Sequence, residues 1–169
     1  MPVLETSRLR LELLTLDDAA FMLELLNEPS FVQNIGDRGV RTLDQARDYL
    51  RQGALASYEQ HGYGLYRVDL KTSGEATGLC GLVRRDGLDH ADVGFAFFPR
   101  FWGQGFAVES AMAVKTWAFD DLGLETLVAI TNPENTGSIR VLERIGLVFD
   151  RRIRLVEDSE ELLLYSSSV

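Results

Sequence analysis

Eight consecutive residues, Arg100-Phe101-Trp102-Gly103-Gln104-Gly105-Phe106-Ala107, carry the clearest chemistry in the chain. They follow a strand-like run over 92–98 closed by Pro99, and they open a helix-like run reaching about residue 122. A strand that passes through a glycine-punctuated loop into a helix leaves a row of backbone N–H groups without partners. With the positive end of the helix dipole, those groups suit a phosphate or pyrophosphate. Gly103 and Gly105 allow close approach because no Cβ intervenes. The pattern implies a phosphorylated cofactor. A phosphate-loop nucleotidase requires Gly-Lys-Ser/Thr, and Phe106 and Ala107 stand where the Lys and hydroxyl residue belong. A dinucleotide loop requires a third glycine, which Val108 replaces. Its acidic residue belongs at the end of the next strand, whereas Glu125 falls at the start.

A second group lies further along. Asn135 and Ser138 are one helical turn apart and can face the same cleft. Cys80 falls in a strand and reads as a small core residue. His61 and His90 have no charge partner nearby in sequence. Arg140 and Arg144 stand at i, i+4, either on a solvated face or toward a phosphate.

The elements that must position these residues follow from periodicity. Leu9, Leu11 and Leu13 alternate with Arg8, Arg10 and Glu12, giving a first strand. Thr15 to Asp18 has capping-box spacing, predicting a helix over 17–27 stopped by Pro29. Residues 30–40 read as a loop that exposes Phe31, Val32 and Ile35 to some degree. Thr42-Leu43-Asp44-Gln45 is a better capping box and predicts a helix to about residue 60. Strands are expected over 63–70, 76–83 and 91–98, the first two as a hairpin. Gly78 and Gly81 suggest a bulge or a close backbone approach. After the long helix come a strand over 126–131, a helix over 135–145 with Asn135 as N-cap, and strands over 150–156 and 160–166. The order β-α-α-β-β-β-α-β-α-β-β predicts an α+β (mixed α/β) domain with helices on both faces of one mostly antiparallel sheet.

The whole chain, 1–169, reads as a single domain of ordinary globular composition, 46% hydrophobic and 25% charged. A net charge of −9 argues against general nucleic-acid binding. No stretch suits a membrane helix, the start lacks a signal pattern, and the single Cys80 forms no internal disulfide. The cytoplasm is the expected location. Metal-ligand spacings are absent, so no metal site is expected.

The loop resembles the pyrophosphate loop of the GNAT acetyltransferase superfamily, Gln/Arg-x-x-Gly-x-Gly/Ala, matched as Arg100-x-x-Gly103-x-Gly105. Three motifs in order resemble the RimJ/RimL-type branch. They are Thr6-x-Arg8-Leu9-x-Leu11, then Phe101-Trp102-Gly103-Gln104-Gly105-Phe106-Ala107-x-Glu109, then Asn132-Pro133-x-Asn135-x-x-Ser138 with Leu142-Glu143-Arg144-Ile145-Gly146-Leu147. The element order is also that of this fold, whose central sheet splays between its fourth and fifth strands.

The resemblance implies an acetyl-CoA-dependent N-acetyltransferase acting by direct attack of a primary amine in a ternary complex. Amides of about Arg100 to Ala107, including Gly103, Gln104, Gly105 and Phe106, would hold the pyrophosphate. Phe97 and Phe98 would offer the strand edge to the pantetheine arm, and Asn132, Asn135 and Ser138 would meet the cofactor. Ser138, in the absence of a Tyr on that helix, would protonate the leaving thiolate. Asp92, where relatives often carry Glu, is either the general base through a water or a strand-edge carboxylate with no chemical part. Glu109 reads as a complement to the helix dipole. The first acceptor is a protein or peptide N-terminus; the alternatives are a small amine such as an amino acid, polyamine or drug, and a non-catalytic coenzyme A-binding module. A homodimer is compatible with exposed aromatics such as Phe31 and with the C-terminal edge strands.

Overall fold

The computed structural model describes residues 2–169. One sheet of eight strands runs in the order β1-β2-β3-β4-β5-β6-β8-β7. The strands are β1 Leu4–Glu5, β2 Leu9–Leu13, β3 Leu65–Leu70, β4 Ala76–Val83, β5 Asp92–Phe97, β6 Thr126–Thr131, β7 Val148–Ile153 and β8 Leu162–Ser168. Every neighbouring pair is antiparallel except β5 with β6, which is parallel and shares a single paired position, Asp92 with Val128. The sheet is therefore splayed there. With the short β1 counted, the expected fourth and fifth strands are β5 and β6.

The helices are α1 Ala19–Leu26, α2 Pro29–Asn34, α3 Leu43–Leu50, α4 Ala56–His61, α5 Phe106–Asp120 and α6 Thr136–Arg144. Both capping boxes form: Thr15 with Asp18 before a 3-10 turn at Leu16–Asp18, and Thr42 with Gln45 before α3. The core runs along the sheet, from Leu9, Leu11, Tyr66 and Val68 to Leu127, Leu142 and Tyr165, and α5 packs against it through Ala111, Val114 and Ala118.

Four expectations need correction. Residues 30–40 are not all loop, because Pro29 takes the first position of α2, where its missing N–H costs nothing. Phe31 is consequently buried, while Val32 and Ile35 are exposed. The helix from Thr42 is broken by a π turn at Arg51–Leu55, with Gly53 at its centre. The last two strands each begin two residues off the expected positions, and the arginine and acidic residues at 154–161 form the connection.

Gly78 and Gly81 serve close packing. The register between β3 and β4 shifts at Val68 and Asp69, leaving Thr77 as a bulged residue whose hydroxyl donates to the Val68 carbonyl at 2.8 Å. A Cβ at Gly81 would lie 2.1 Å from the Gly64 carbonyl oxygen, and one at Gly78 would lie 2.2 Å from that of Ala96. Both neighbours are backbone and cannot swing aside. Gly81→Ala is therefore expected to destabilise the fold by about 1–3 kcal/mol in urea unfolding. An unchanged midpoint would show that β3 and β4 can separate freely.

Candidate active site

Where β5 and β6 part, their backbone groups lose their natural partners. The Val128 N–H donates to the Ala91 carbonyl at 3.0 Å, closing the one paired position. Further along β5, the Phe98 N–H donates at 3.0 Å to Thr77, on the β4 side. The Phe97 carbonyl faces the gap and accepts the Trp102 indole N–H at 2.9 Å. Alternation along the strand then directs the N–H and C=O of Phe95 into the gap as well.

Asp92 closes the base of the gap. Its carboxylate is buried and pairs with the Arg85 guanidinium at 2.5 Å. Burial pushes its pKa up to about 6 against the opposing pull of Arg85. It lines neither of the cavities described below. The carboxylate expected either as a general base or as a strand-edge group without a chemical part is a buried ion-pair partner of Arg85.

Above this plug lies a cleft of about 680 Å³ between β5, the loop after it, and α6. Gly103 and Gly105 adopt φ of 75° and 83°, the left-handed region that favours glycine. Gly105 is the N-cap of α5 and supplies no side-chain cap, and the first helical bond is Glu109 N–H to the Gly105 carbonyl at 3.0 Å. The amides of Phe106, Ala107 and Val108 therefore have no intrahelical acceptor, and all three residues line the cleft. Arg140 and Arg144 line it from α6. Free amides at a helix N-terminus facing two guanidinium groups suit the phosphates of a nucleotide-bearing cofactor.

Of the residues expected to meet the cofactor, Phe97, Gly103, Gly105, Phe106, Ala107, Asn135 and Ser138 line this cleft. Asn135 caps α6, accepting the Ser138 N–H at 3.2 Å. Four others do not line it. Phe98 is core, edge-on to Phe21. The Arg100 guanidinium folds back over the Phe98 and Phe101 rings, 4.5 and 4.9 Å from their centroids. Gln104 reaches back toward the Arg100 carbonyl. Asn132 accepts the Glu134 N–H at 2.9 Å and shapes the turn into α6. The N–H groups of Phe101 and Trp102 are also committed, to the Phe98 and Pro99 carbonyls at 3.0 and 3.1 Å. Trp102, a spacer position in the loop pattern, also lines the cleft, as do Arg140 and Arg144, for which the sequence leaves a solvated face and a phosphate open. Burial pushes the Cys80 thiol up to about 12, in keeping with a core residue.

A second, smaller cavity of about 330 Å³ lies under α2 and the π turn. It shares Phe31, Ile35, Phe95 and Ala96 with the cleft, so the two spaces meet at the free backbone of Phe95. His61, isolated in sequence, lines this cavity.

Glu109 does more than complement a dipole. It accepts the Thr6 hydroxyl at 2.5 Å, the Arg8 N–H at 3.0 Å and the Arg8 Nε at 2.8 Å, tying the first hairpin to α5. The Arg8 guanidinium in turn sits 4.6 Å over the Phe106 ring. This clamp explains why Thr6-x-Arg8 and Glu109 occur in one sequence although they are far apart along it.

The family model described as "Acetyltransferase (GNAT) domain" matches residues 8–148. The uncharacterized protein YkkB of Bacillus subtilis (strain 168) is 31% identical over 156 residues, 89% of this chain and 88% of the relative. The crystal structure of an acetyltransferase from Agrobacterium tumefaciens str. C58 superposes with a TM-score of 0.84 at 28% identity, covering 100% of this chain and 95% of that one. A structure of RimL, a ribosomal L7/L12 alpha-N-protein acetyltransferase in complex with coenzyme A, shares the fold with a TM-score of 0.84 at 17% identity, over 100% and 98% of the two chains.

Burial acts to raise the Glu109 pKa, yet the bonds from Thr6 and Arg8 outweigh it and hold the carboxyl below its ordinary 4.5. A lowered folded pKa gives stability that is present above the unfolded value and lost as pH falls through the folded one. Glu109→Gln is expected to lower the unfolding free energy by about 1–2 kcal/mol at pH 7, with the gap to the native chain closing below about pH 4. A gap that does not change with pH, measured by urea unfolding, would show that the clamp is not ionic.

Proposed function

The chain belongs to the GNAT acetyltransferase family, and on that premise we propose that it moves the acetyl group of acetyl-CoA, seated in the cleft between β5 and β6, to a primary amine presented from the smaller cavity. The observation that carries this reading is the junction of the two spaces at Phe31, Ile35, Phe95 and Ala96. Those residues border both spaces from the α2 segment and from β5, so a group in one can meet a group in the other beside the β5 edge.

The residues divide the work. The amides of Phe106, Ala107 and Val108 bind phosphate, assisted by Arg140 and Arg144. The free edge at Phe95 pairs with the amide-bearing arm of the donor and lays its thioester at the junction. The acceptor nitrogen loses its proton to water, since no carboxylate lines the smaller cavity. The nitrogen then bonds to the thioester carbon, and the Phe95 N–H holds the charge that develops on the carbonyl oxygen. The carbon–sulfur bond breaks, and the Ser138 hydroxyl, on the first turn of α6, gives its proton to the sulfur and regains one from the water that took the nitrogen's proton.

Volume favours a small acceptor over a protein terminus. About 330 Å³ is at the lower end of pockets that enclose a small molecule. A protein terminus, which resemblance puts first, would insert its first residue or two.

Calorimetric titration with acetyl-CoA, with NADH as control, tests the cleft. The native chain is expected to bind acetyl-CoA alone, and Gly105→Glu, which places a carboxylate at the N-cap, is expected to abolish binding with its circular dichroism unchanged. Equal binding by the variant would remove the loop from the site. Ser138→Ala is expected to lower kcat about 10²-fold with little change in KM, read as thiol release. An unchanged kcat would assign the proton to water.

A further inference from the structure

The smaller cavity has a charge opposite to that of the chain. The protein carries a net charge of −9 and 26 acidic side chains, yet none of them lines this cavity, whereas Arg38, Arg84 and Arg85 do. The rest of the wall mixes apolar residues, Leu14, Met22, Leu26, Leu79 and Leu82, with the neutral polar side chains of Gln52, Ser57 and Gln60, and with His61.

The three guanidinium groups are not equivalent. Arg85 is neutralised by Asp92 at 2.5 Å. Arg84 donates to a backbone carbonyl, that of Asp89 at 3.0 Å, so its charge has no carboxylate against it. Next to Arg38, the one adjacent carboxylate, Asp37, is committed to Arg41 at 2.7 Å. Among the described residues, the exposed guanidinium groups of Arg38 and Arg84 therefore stand beside this space without an ion-pair partner. An acceptor that is only a cation would be repelled there. A planar carboxylate would be bound by charge-assisted, bidentate contacts.

We infer that the acceptor is a small amino-carboxylate, an amine bearing a free carboxylate on an apolar body, with Arg84 and Arg38 as its specificity-determining residues. This rests on the reading that the smaller cavity admits the acceptor. A protein N-terminus carries an amide where the free carboxylate would lie, and a polyamine carries a second cation. Both are disfavoured by the same two arginines.

The test compares acetyl-CoA-dependent thiol release for matched amines: leucine against leucinamide and isoamylamine, phenylalanine against phenethylamine, and spermidine as the cationic extreme. Acetyl-CoA binding is followed separately by calorimetry. The amino acids are expected to exceed their carboxylate-free partners in kcat/KM by at least about tenfold. Arg84→Ala and Arg38→Ala are expected to collapse that ratio mainly through KM, and Arg84→Lys to retain part of it. Equal or better turnover of isoamylamine, phenethylamine or spermidine overturns the inference while leaving the acetyltransferase reading intact. So does tight acetyl-CoA binding with no amino-carboxylate acetylated. Failure to bind acetyl-CoA overturns the underlying reading instead.

Discussion

The rest of the molecule depends on two parallel strands that meet at one position and then separate. An unpaired strand edge inside a protein is costly, because each exposed N–H and C=O must find another partner. Here the cost is met at both ends of the gap and left unmet in the middle. Below, the Val128 N–H takes the Ala91 carbonyl. Above, the Trp102 indole takes the Phe97 carbonyl. Between them Phe95 is left facing the junction of two cavities. Hydrogen-bonding capacity at Phe95 is therefore left open at the junction, and the Trp102 indole bounds that free edge from above.

A site made of backbone needs its backbone fixed. The loop at Gly103 and Gly105 has few contacts of its own, and a Cβ at Gly103 would meet nothing within 4 Å. It is held from behind. Glu109, one turn into α5, accepts three bonds from Thr6 and Arg8, and Arg8 lies over the Phe106 ring. Free amides at a helix start are useful only if the helix start does not fray. The salt link to the first hairpin places that start against a strand that also belongs to the sheet. It connects the phosphate-binding end of the cleft to the same framework that carries Phe95.

The sequence revealed those features whose cause is local. Capping boxes at Thr15 and Thr42, the Asn135 cap and the glycine loop each depend on a few adjacent residues, and each forms where the residues stand. The splay was expected by resemblance and is present as a single paired position. What was hidden depends on contacts made across the fold. Asp92 looks like a free carboxylate on a strand, and its burial against Arg85 is visible only once the fold places the two together. Arg100 reads as part of the loop, but two aromatic rings behind it hold its charge away from the cleft. Pro29 carries a signal for a helix start as well as a stop, and sequence alone does not choose between them. Phe31 became a wall of both cavities because of that choice.

Net charge is a poor guide to a ligand when the site is small. At −9 the chain repels anions at long range, but over about a Debye length salt screens that field, and the contacts that decide binding are nearer. Both spaces are lined by arginine. Arg140 and Arg144 face the larger, where phosphates belong, and Arg38 and Arg84 face the smaller. The acidic residues are spent elsewhere, many in ion pairs such as Asp37 with Arg41, Asp44 with Arg47 and Asp48 with Arg51. Those surface pairs add little to stability. Asp37 matters for a different reason: it engages Arg41 and leaves the adjacent Arg38 without an ion-pair partner beside the smaller cavity, so on the proposed reading a surface ion pair bears on what that cavity admits.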